Sequence, residues 1–412
     1  MRRKLSSFAL ALTLALGSAA QADPALRLER VVIVMRHGVR PPTKSADQLA
    51  RYSDQAWPGD ADWGAAPGEL TPHGAQEIQN VGKGLRAAYA QLGLLPAQGD
   101  IAARTLIWAD GADQRTRESA RNVAQGLSPL APPPFGSGAP GQRDPLFDGA
   151  GTGLCPFDPG AAAIAAQAPL DGPGIAAALQ RLQAIVAPQG CSGGAGVCLA
   201  GASAVVADDK GVKVQGPVGT GATLAEDLLL EYETGLPAAQ LGWGRLTAHD
   251  LPVIVPLQAL SSDITRRTPY VATRRAGLMA RFILAALQDQ PAPAGAPALS
   301  RGQDLILLAG HDTNLSNLAG VFGLDWRFPD QPDPTAPGVA LTFERWRDVA
   351  TGQALLRVRL FYQTPDEVRT LAGTAPHSLV IVPGDCAAGA ACEVGGLARK
   401  VEARLSDCGA GR

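Results

Sequence analysis

The 412 residues carry 36 basic and 38 acidic side chains, a formal net charge of −2, and 46% of them are apolar. No run of lysines and arginines points to nucleic acid, and the apolar fraction supplies a large core. Six cysteines (Cys155, Cys191, Cys198, Cys386, Cys392 and Cys408) form an even set without C-x-x-C spacing, which favours disulfides over a zinc site and leaves their connectivity open.

Met1 to Ala22 reads as a cleaved secretory signal. It has a basic start (MRRK), an apolar run too short to span a bilayer (FALALTLALGSAA), and the small-x-small form Ala20-Gln21-Ala22. No second apolar stretch near ~20 residues follows, so no membrane anchor is expected. Removal of Arg2, Arg3 and Lys4 leaves 33 basic side chains against 38 acidic, a net charge of −5. The remaining chain exceeds the ~250–300 residues at which single cores stop growing, so two domains are expected.

The first element, RLERVVIVMR (Arg27 to Arg36), is a continuous valine-rich run of the kind found in strands covered on both faces. The stretch from Glu69 to Gly93 then opens with Thr71 as N-cap and Pro72 at the first helical position. Ile78, Val81, Leu85 and Ala88 recur on one helix face. TLIWAD (Thr105 to Asp110) and DLILLAG (Asp304 to Gly310) resemble the first strand, and each precedes a helix-like segment. The expected fold is therefore α/β, a mainly parallel sheet flanked by helices.

From about Pro140 to Leu251 the chain turns Ala- and Gly-rich, with Thr223 to Leu236 as its clearest helix and Thr223 as the cap. It reads as a smaller, mostly helical domain, 141–251, inserted into an α/β domain of 23–140 and 252–412. APPPFGSGAP (Ala131 to Pro140) and Gln290 to Gly302 are linkers by composition. VALTFERW and ALLRVRLFYQT alternate around Asp348 to Gly352, an antiparallel hairpin expected at the sheet edge.

Chemistry in open α/β sheets lies at the carboxyl ends of strands. Arg36, His37, Gly38 and Arg40 fall there, and the arginines offer forked donors to an oxyanion. Arg115 and Arg117 follow the TLIWAD strand, and His311-Asp312 ends the DLILLAG strand. His37 is the candidate nucleophile, Arg36, Arg40, Arg115 and His311 the phosphate clamp, and Asp312 the acid for the leaving oxygen. His249-Asp250 repeats the dipeptide without a preceding strand and is set aside. His73 reads as first-turn helix structure and His377 as a loop residue. GCSGG (Gly190 to Gly194) matches a nucleophile elbow only formally, since no strand leads into it. No H-E-x-x-H motif, His-x-His pair or P-loop lysine supports a metal or nucleotide mechanism.

RHGVRPPTK, DQRTRES and AGHDTNLSNLAG together resemble the histidine acid phosphatases, the branch marked by R-H-G-x-R-x-P and a distant H-D, and most nearly its bacterial periplasmic phytases. DPLFDGAGTGLC, GWGRLT, RRTPYVATRRA and GQALLRVRLFYQT extend the resemblance over nearly the whole mature chain. It implies an α/β domain with a helical lid and a periplasmic monomer that needs no cofactor. The substrate would be a small anionic phosphomonoester such as phytate, hydrolysed through a phosphohistidine. The family's nucleophile falls on His37, its proton donor on Asp312, and its phosphate ligands on Arg36, Arg40, Arg115 and His311. Thr43 and Lys44 match the substrate entrance, and Glu226 and Arg267 the pocket rim. The implied disulfides are Cys155 with Cys408, Cys191 with Cys198, and Cys386 with Cys392. A further pair that those phytases carry around the TLIWADG strand has no counterpart here, which bears on stability rather than catalysis. A glucose-1-phosphatase-like or broad acid phosphatase is the rival enzyme. A phosphate-binding protein without turnover is the rival of another class, and it would need neither His37 nor Asp312.

Overall fold

A computed structural model describes residues 25–373, 376–386 and 392–405. The proposed signal Met1 to Ala22 and Cys408, the expected partner of Cys155, lie outside the described residues. The central sheet contains β1 (Leu26–Arg36), β2 (Thr105–Ala109) and β3 (Phe135–Ser137) from the first part of the chain. After a separate two-stranded ribbon, β4 (Ala204–Asp208) with β5 (Gly211–Gln215), come β6 (Leu305–Gly310), β7 (Ala340–Asp348), β8 (Ala354–Tyr362), β9 (His377–Ile381) and β10 (Cys392–Glu393). Strand order is β10-β8-β7-β1-β6-β2-β3, with β9 also paired to β8. The sheet is mixed, being parallel from β1 through β6 and β2 to β3 and antiparallel from β1 through β7 to β8.

The longer helices are α1 (Pro72–Gln91), α2 (Gln114–Leu127), α3 (Pro173–Val186), α4 (Pro217–Glu233), α5 (Pro269–Leu287), α6 (Asp312–Phe322) and α7 (Val394–Arg404). Of these, α1, α2, α5, α6 and α7 cover the two faces of the sheet, and strand alternation decides which side chain meets which layer. Val31, Ile33 and Met35 of β1, with Leu305 and Leu307 of β6, pack with Ile78, Val81 and Leu85 of α1 and Val123 of α2. Val32, Val34, Ile306 and Leu308 point the other way, onto Met279, Phe282 and Ile283 of α5 and Leu315 and Leu318 of α6. Every side chain from Val31 to Met35 is fully buried. Burial of each such side chain contributes roughly 1.5–3 kcal/mol relative to exposure. This is why the run reads as continuously apolar instead of alternating.

α1 begins as its sequence requires: the Thr71 hydroxyl accepts the Gly74 N–H at 2.8 Å, and Pro72 sits where no intrahelical donor is needed. It crosses α2 backbone to backbone. A Cβ on Gly126 would stand 2.2 Å from the Gln79 carbonyl oxygen, and one on Gly82 would stand 2.6 Å from that of Val123.

Three expectations are corrected. The hairpin β7–β8 is not at the edge: β7 lies between β1 and β8, almost wholly buried, and β9 and β10 close the sheet beyond it. His377 is not in a loop but opens β9, opposite Tyr362. Thr223 does not cap its helix, since α4 starts six residues earlier at Pro217, and the Thr223 hydroxyl bonds the Gly219 carbonyl within it. Segment 141–251 holds the β4–β5 ribbon as well as helices. Its helices α3 and α4 share a core with Leu251, Ile254, Val255 and Leu257, and also with Leu49 and Trp57 from before β2. Cys191–Cys198 and Cys386–Cys392 are disulfides.

Candidate active site

Register places the site. Arg36 of β1 pairs with Gly310 of β6, and Ala309 pairs with Ala109 of β2, so the three parallel strands end level. The residues that follow are His37, His311 and Asp110. The His37 amide donates to the Gly310 carbonyl at 3.0 Å, and the Asp110 amide to that of Ala309 at 3.0 Å. Gly38 then lets the chain turn against α1, where a Cβ would stand 2.6 Å from the Gly74 carbonyl oxygen.

His37 is 1% exposed. Its Nδ1–H donates to the Gly38 carbonyl at 2.8 Å, which assigns the lone pair to Nε2. Burial, then Arg115, Arg36 and Arg40, push its pKa well below the usual histidine range, so the ring is neutral in acid. Arg36, fully buried, donates to Glu226 at 2.6 Å, to Asp333 at 3.1 Å and to the Thr335 carbonyl at 2.7 Å. Coulombic attraction to Asp312, Glu226 and Asp333 outweighs burial and raises its pKa. Arg40 reaches the same Glu226 oxygen at 3.5 Å. Arg115, at the start of α2, is held by Asp113 at 2.8 Å and the Gly68 carbonyl at 3.1 Å. His311 donates from Nε2 to Asp110 at 2.8 Å, and its ring lies edge-on to that of His37 with centroids 5.6 Å apart.

Asp312 opens α6 beside this group. Burial alone would raise its carboxyl, but Arg266, in direct contact, and Arg36 hold it well below the usual range. The free protein therefore carries an Asp312 carboxylate. An anion seated on Arg36 would compete for that support and repel the charge, favouring the protonated acid.

Thr43, Lys44, Glu226 and Arg115 line one cleft of about 540 Å³ with His311, Asp312, Arg266 and Arg275. Arg267 does not: it is tied to Asp263 at 3.3 Å, to Asp325 at 2.9 Å and to the Leu324 carbonyl. Arg266 takes the place in the cleft expected of its neighbour, because the π-helical turn Asp263–Arg267 changes which side chain points inward. Asp110 and Asp113 lie at a strand end already marked by the sequence, and that position was their signal. With His311 they form a triplet whose ligand atoms fall within 4.8 Å, the set among the described residues that could hold a metal ion. His249 and Asp250 are elsewhere, with Asp250 bound by Arg181 and Thr247. Ser192 of GCSGG lies inside the Cys191–Cys198 loop.

Below the cleft lie carboxyls that burial pushes upward: Glu77 and Glu231 to about 8 and Asp227 to about 7. In an unfolded chain such groups titrate near ~4. The folded state thus keeps protons that the unfolded state loses, and stability falls as pH rises from there through about 8. Thermal unfolding is expected at a lower temperature at neutral or mildly alkaline pH than near pH 5. A Tm that rises over this interval would contradict it.

Strand-end histidines, a guanidinium clamp and an α/β sheet with a helical segment define a histidine phosphatase, and residues 27–166 match the family model of the histidine phosphatase superfamily, branch 2. The chain belongs to this family and is a phosphoric monoester hydrolase. It is 33% identical over 392 residues to Phytase AppA of Escherichia coli strain K12, covering 89% of this chain and 87% of that protein. A glucose-1-phosphatase of Providencia rettgeri is 26% identical over 381 residues, covering 89% and 88%. Among solved structures, Hafnia alvei phytase in complex with myo-inositol hexakis sulphate superposes with a TM-score of 0.84 at 29% identity, covering 94% of this chain and 99% of that one.

Proposed function

We propose that the chain hydrolyses phytate through a covalent phosphohistidine on His37, with Arg36, Arg40, Arg115 and His311 binding the reacting phosphate and Asp312 protonating the leaving oxygen. Nε2 of His37 attacks phosphorus in line, the P–O bond to the inositol breaks, and the Asp312 proton goes to the departing alkoxide. Water then attacks the phosphohistidine with Asp312 as base, releasing inorganic phosphate and restoring both groups. The guanidinium groups supply the positive charge, so no step passes through a metal. Residues 141–251 act as a cap that brings Glu226 and Thr223 to the cleft. The protein acts as a monomer outside the cytoplasm after loss of Met1 to Ala22, a setting that suits its two disulfides.

The observation that carries the choice of phytate is a second set of cations in the cleft, beyond those that one phosphate needs. Lys44, 5.1 Å over the Tyr52 ring, and Arg275, bonded to Asp148 at 3.0 Å, line it besides the groups that one phosphate needs. A polyphosphorylated ring engages such remote charges, whereas a small ester leaves them idle. Phosphate release from phytate, glucose 1-phosphate and nitrophenyl phosphate tests the reading, with the highest kcat/KM expected on phytate. Lys44→Glu is expected to lower that value by ~10-fold or more, about 1.4 kcal/mol, while nitrophenyl phosphate changes little. Arg267→Glu, outside the cleft, should select less between the two. A wild type that favours glucose 1-phosphate, or a Lys44 variant that damages both substrates alike, would give the function to the glucose-1-phosphatase-like rival.

A further inference from the structure

Glu77 takes no part in the steps above, yet it is fully buried against the loop that carries His37. From α1 its Oε2 accepts the Val39 N–H at 2.9 Å. The carbonyl of the same residue is taken by the Thr71 amide at 3.1 Å and the Thr71 hydroxyl at 3.0 Å. Both backbone groups of Val39 are thereby pinned to the start of α1, two residues beyond His37. The other carboxyl oxygen faces a second stretch of backbone: a Cβ on Gly338 would stand 2.6 Å from Glu77 Oε1, and the Gly338 amide donates to the His37 carbonyl at 3.4 Å. Glu77 therefore sits between the two pieces of chain that flank the histidine.

An acid is an expensive way to fill this space. A leucine would pack it with no polar group to satisfy, whereas Glu77 Oε1 is buried without a hydrogen-bond partner. Arg36 is near enough to lower its pKa, but burial dominates and takes it to about 8, so the side chain is a neutral acid under acidic conditions. Glu233 of α4 bears on it too, and burial, then Glu77 and Asp333, push that carboxyl well upward. What the acid supplies in return is an acceptor for the Val39 amide, which would otherwise be buried unpaired where the loop leaves the sheet, at about 1–3 kcal/mol.

We propose that Glu77 is a positioning residue for the nucleophile loop: by anchoring the Val39 amide and bracing against Gly338 it fixes the direction in which the His37 ring meets phosphorus. This rests on His37 as the nucleophile. In-line attack is sensitive to direction, and a misplacement near 1 Å can cost on the order of 100-fold, while Arg36, Arg115 and His311 of the phosphate clamp, each held by partners outside this loop, keep their grip. The effect belongs in kcat rather than in KM.

The test compares wild type, Glu77→Gln and Glu77→Leu in single-turnover phosphoenzyme formation with an alkaline quench, and in steady state. Glu77→Gln keeps an acceptor for Val39 and is expected within ~3-fold of wild type. Glu77→Leu should form phosphohistidine ~10-fold more slowly or worse, with KM within ~2-fold. Should the leucine variant not fold, Glu77→Met carries the same comparison. A purely structural role would lower Tm but leave the rate per folded site untouched, and that result overturns the proposal. So does a glutamine variant as slow as the leucine one. Absence of phosphoenzyme from the wild type would instead refute His37 as nucleophile and remove the basis of both readings.

Discussion

His37→Ala is expected to abolish turnover, by on the order of 10⁴-fold or more, the scale on which removal of a covalent nucleophile is felt. The neighbouring rings offer no substitute. His311, 5.6 Å away between centroids, has its Nε2 committed to Asp110, while His73 donates to the Val368 carbonyl. His37 is suited to its role because its Nδ1–H is fixed on the Gly38 carbonyl and because burial among arginines keeps it unprotonated in acid. The wild type, quenched in alkali after labelled substrate, should yield an acid-labile, alkali-stable phosphoenzyme that the alanine variant lacks. A wild type that turns over without one would mean direct attack by water.

Asp312→Asn is expected to separate substrates by their leaving groups. An inositol or sugar alkoxide needs a proton as it departs, and loss of a general acid typically costs 10²–10⁴-fold, whereas nitrophenolate leaves unaided. Alkyl phosphates should thus fall by roughly two orders of magnitude or more and aryl phosphates far less. Equal losses on both would take Asp312 out of the acid role. Arg266 enters here as well, since its contact holds the free carboxylate ionised until a substrate anion arrives.

The ends of β1, β2 and β6 were legible because strands buried on both faces must be apolar throughout, so the first charged residue after each run marks its end. Arg36 to Arg40, Asp110 and His311-Asp312 announced themselves in that way. Patterns with less physical content misled. Thr223 precedes an apolar run as a cap would, but α4 begins six residues earlier behind Gly216, whose φ of 83° suits glycine. The alternation in β7 suggested a sheet edge, yet Thr342, Glu344 and Arg345 are buried, Glu344 against Arg359 at 2.8 Å. β9 is short and exposed at the sheet's margin and has no pattern to read. Arg266 and Arg267 could not be told apart, because the wider π turn Asp263–Arg267 that holds both is invisible to a 3.6-residue period. Nothing in the sequence marked Glu77, because the backbone it meets, at Val39 and Gly338, comes from other parts of the chain.

The level strand ends also constrain how the molecule is made. β6 lies between β1 and β2, which precede it by some two hundred residues or more, so those early strands must wait apart for a partner that emerges late. Direct pairing of β1 with β2 would satisfy both edges and is the obvious wrong turn, while the correct closure has a high contact order and is intrinsically slow. Any nascent chain that stops short of Leu305 lacks the central strand as well as His311 and Asp312. The parallel half of the sheet and the proposed acid therefore both wait for the same late segment of the chain.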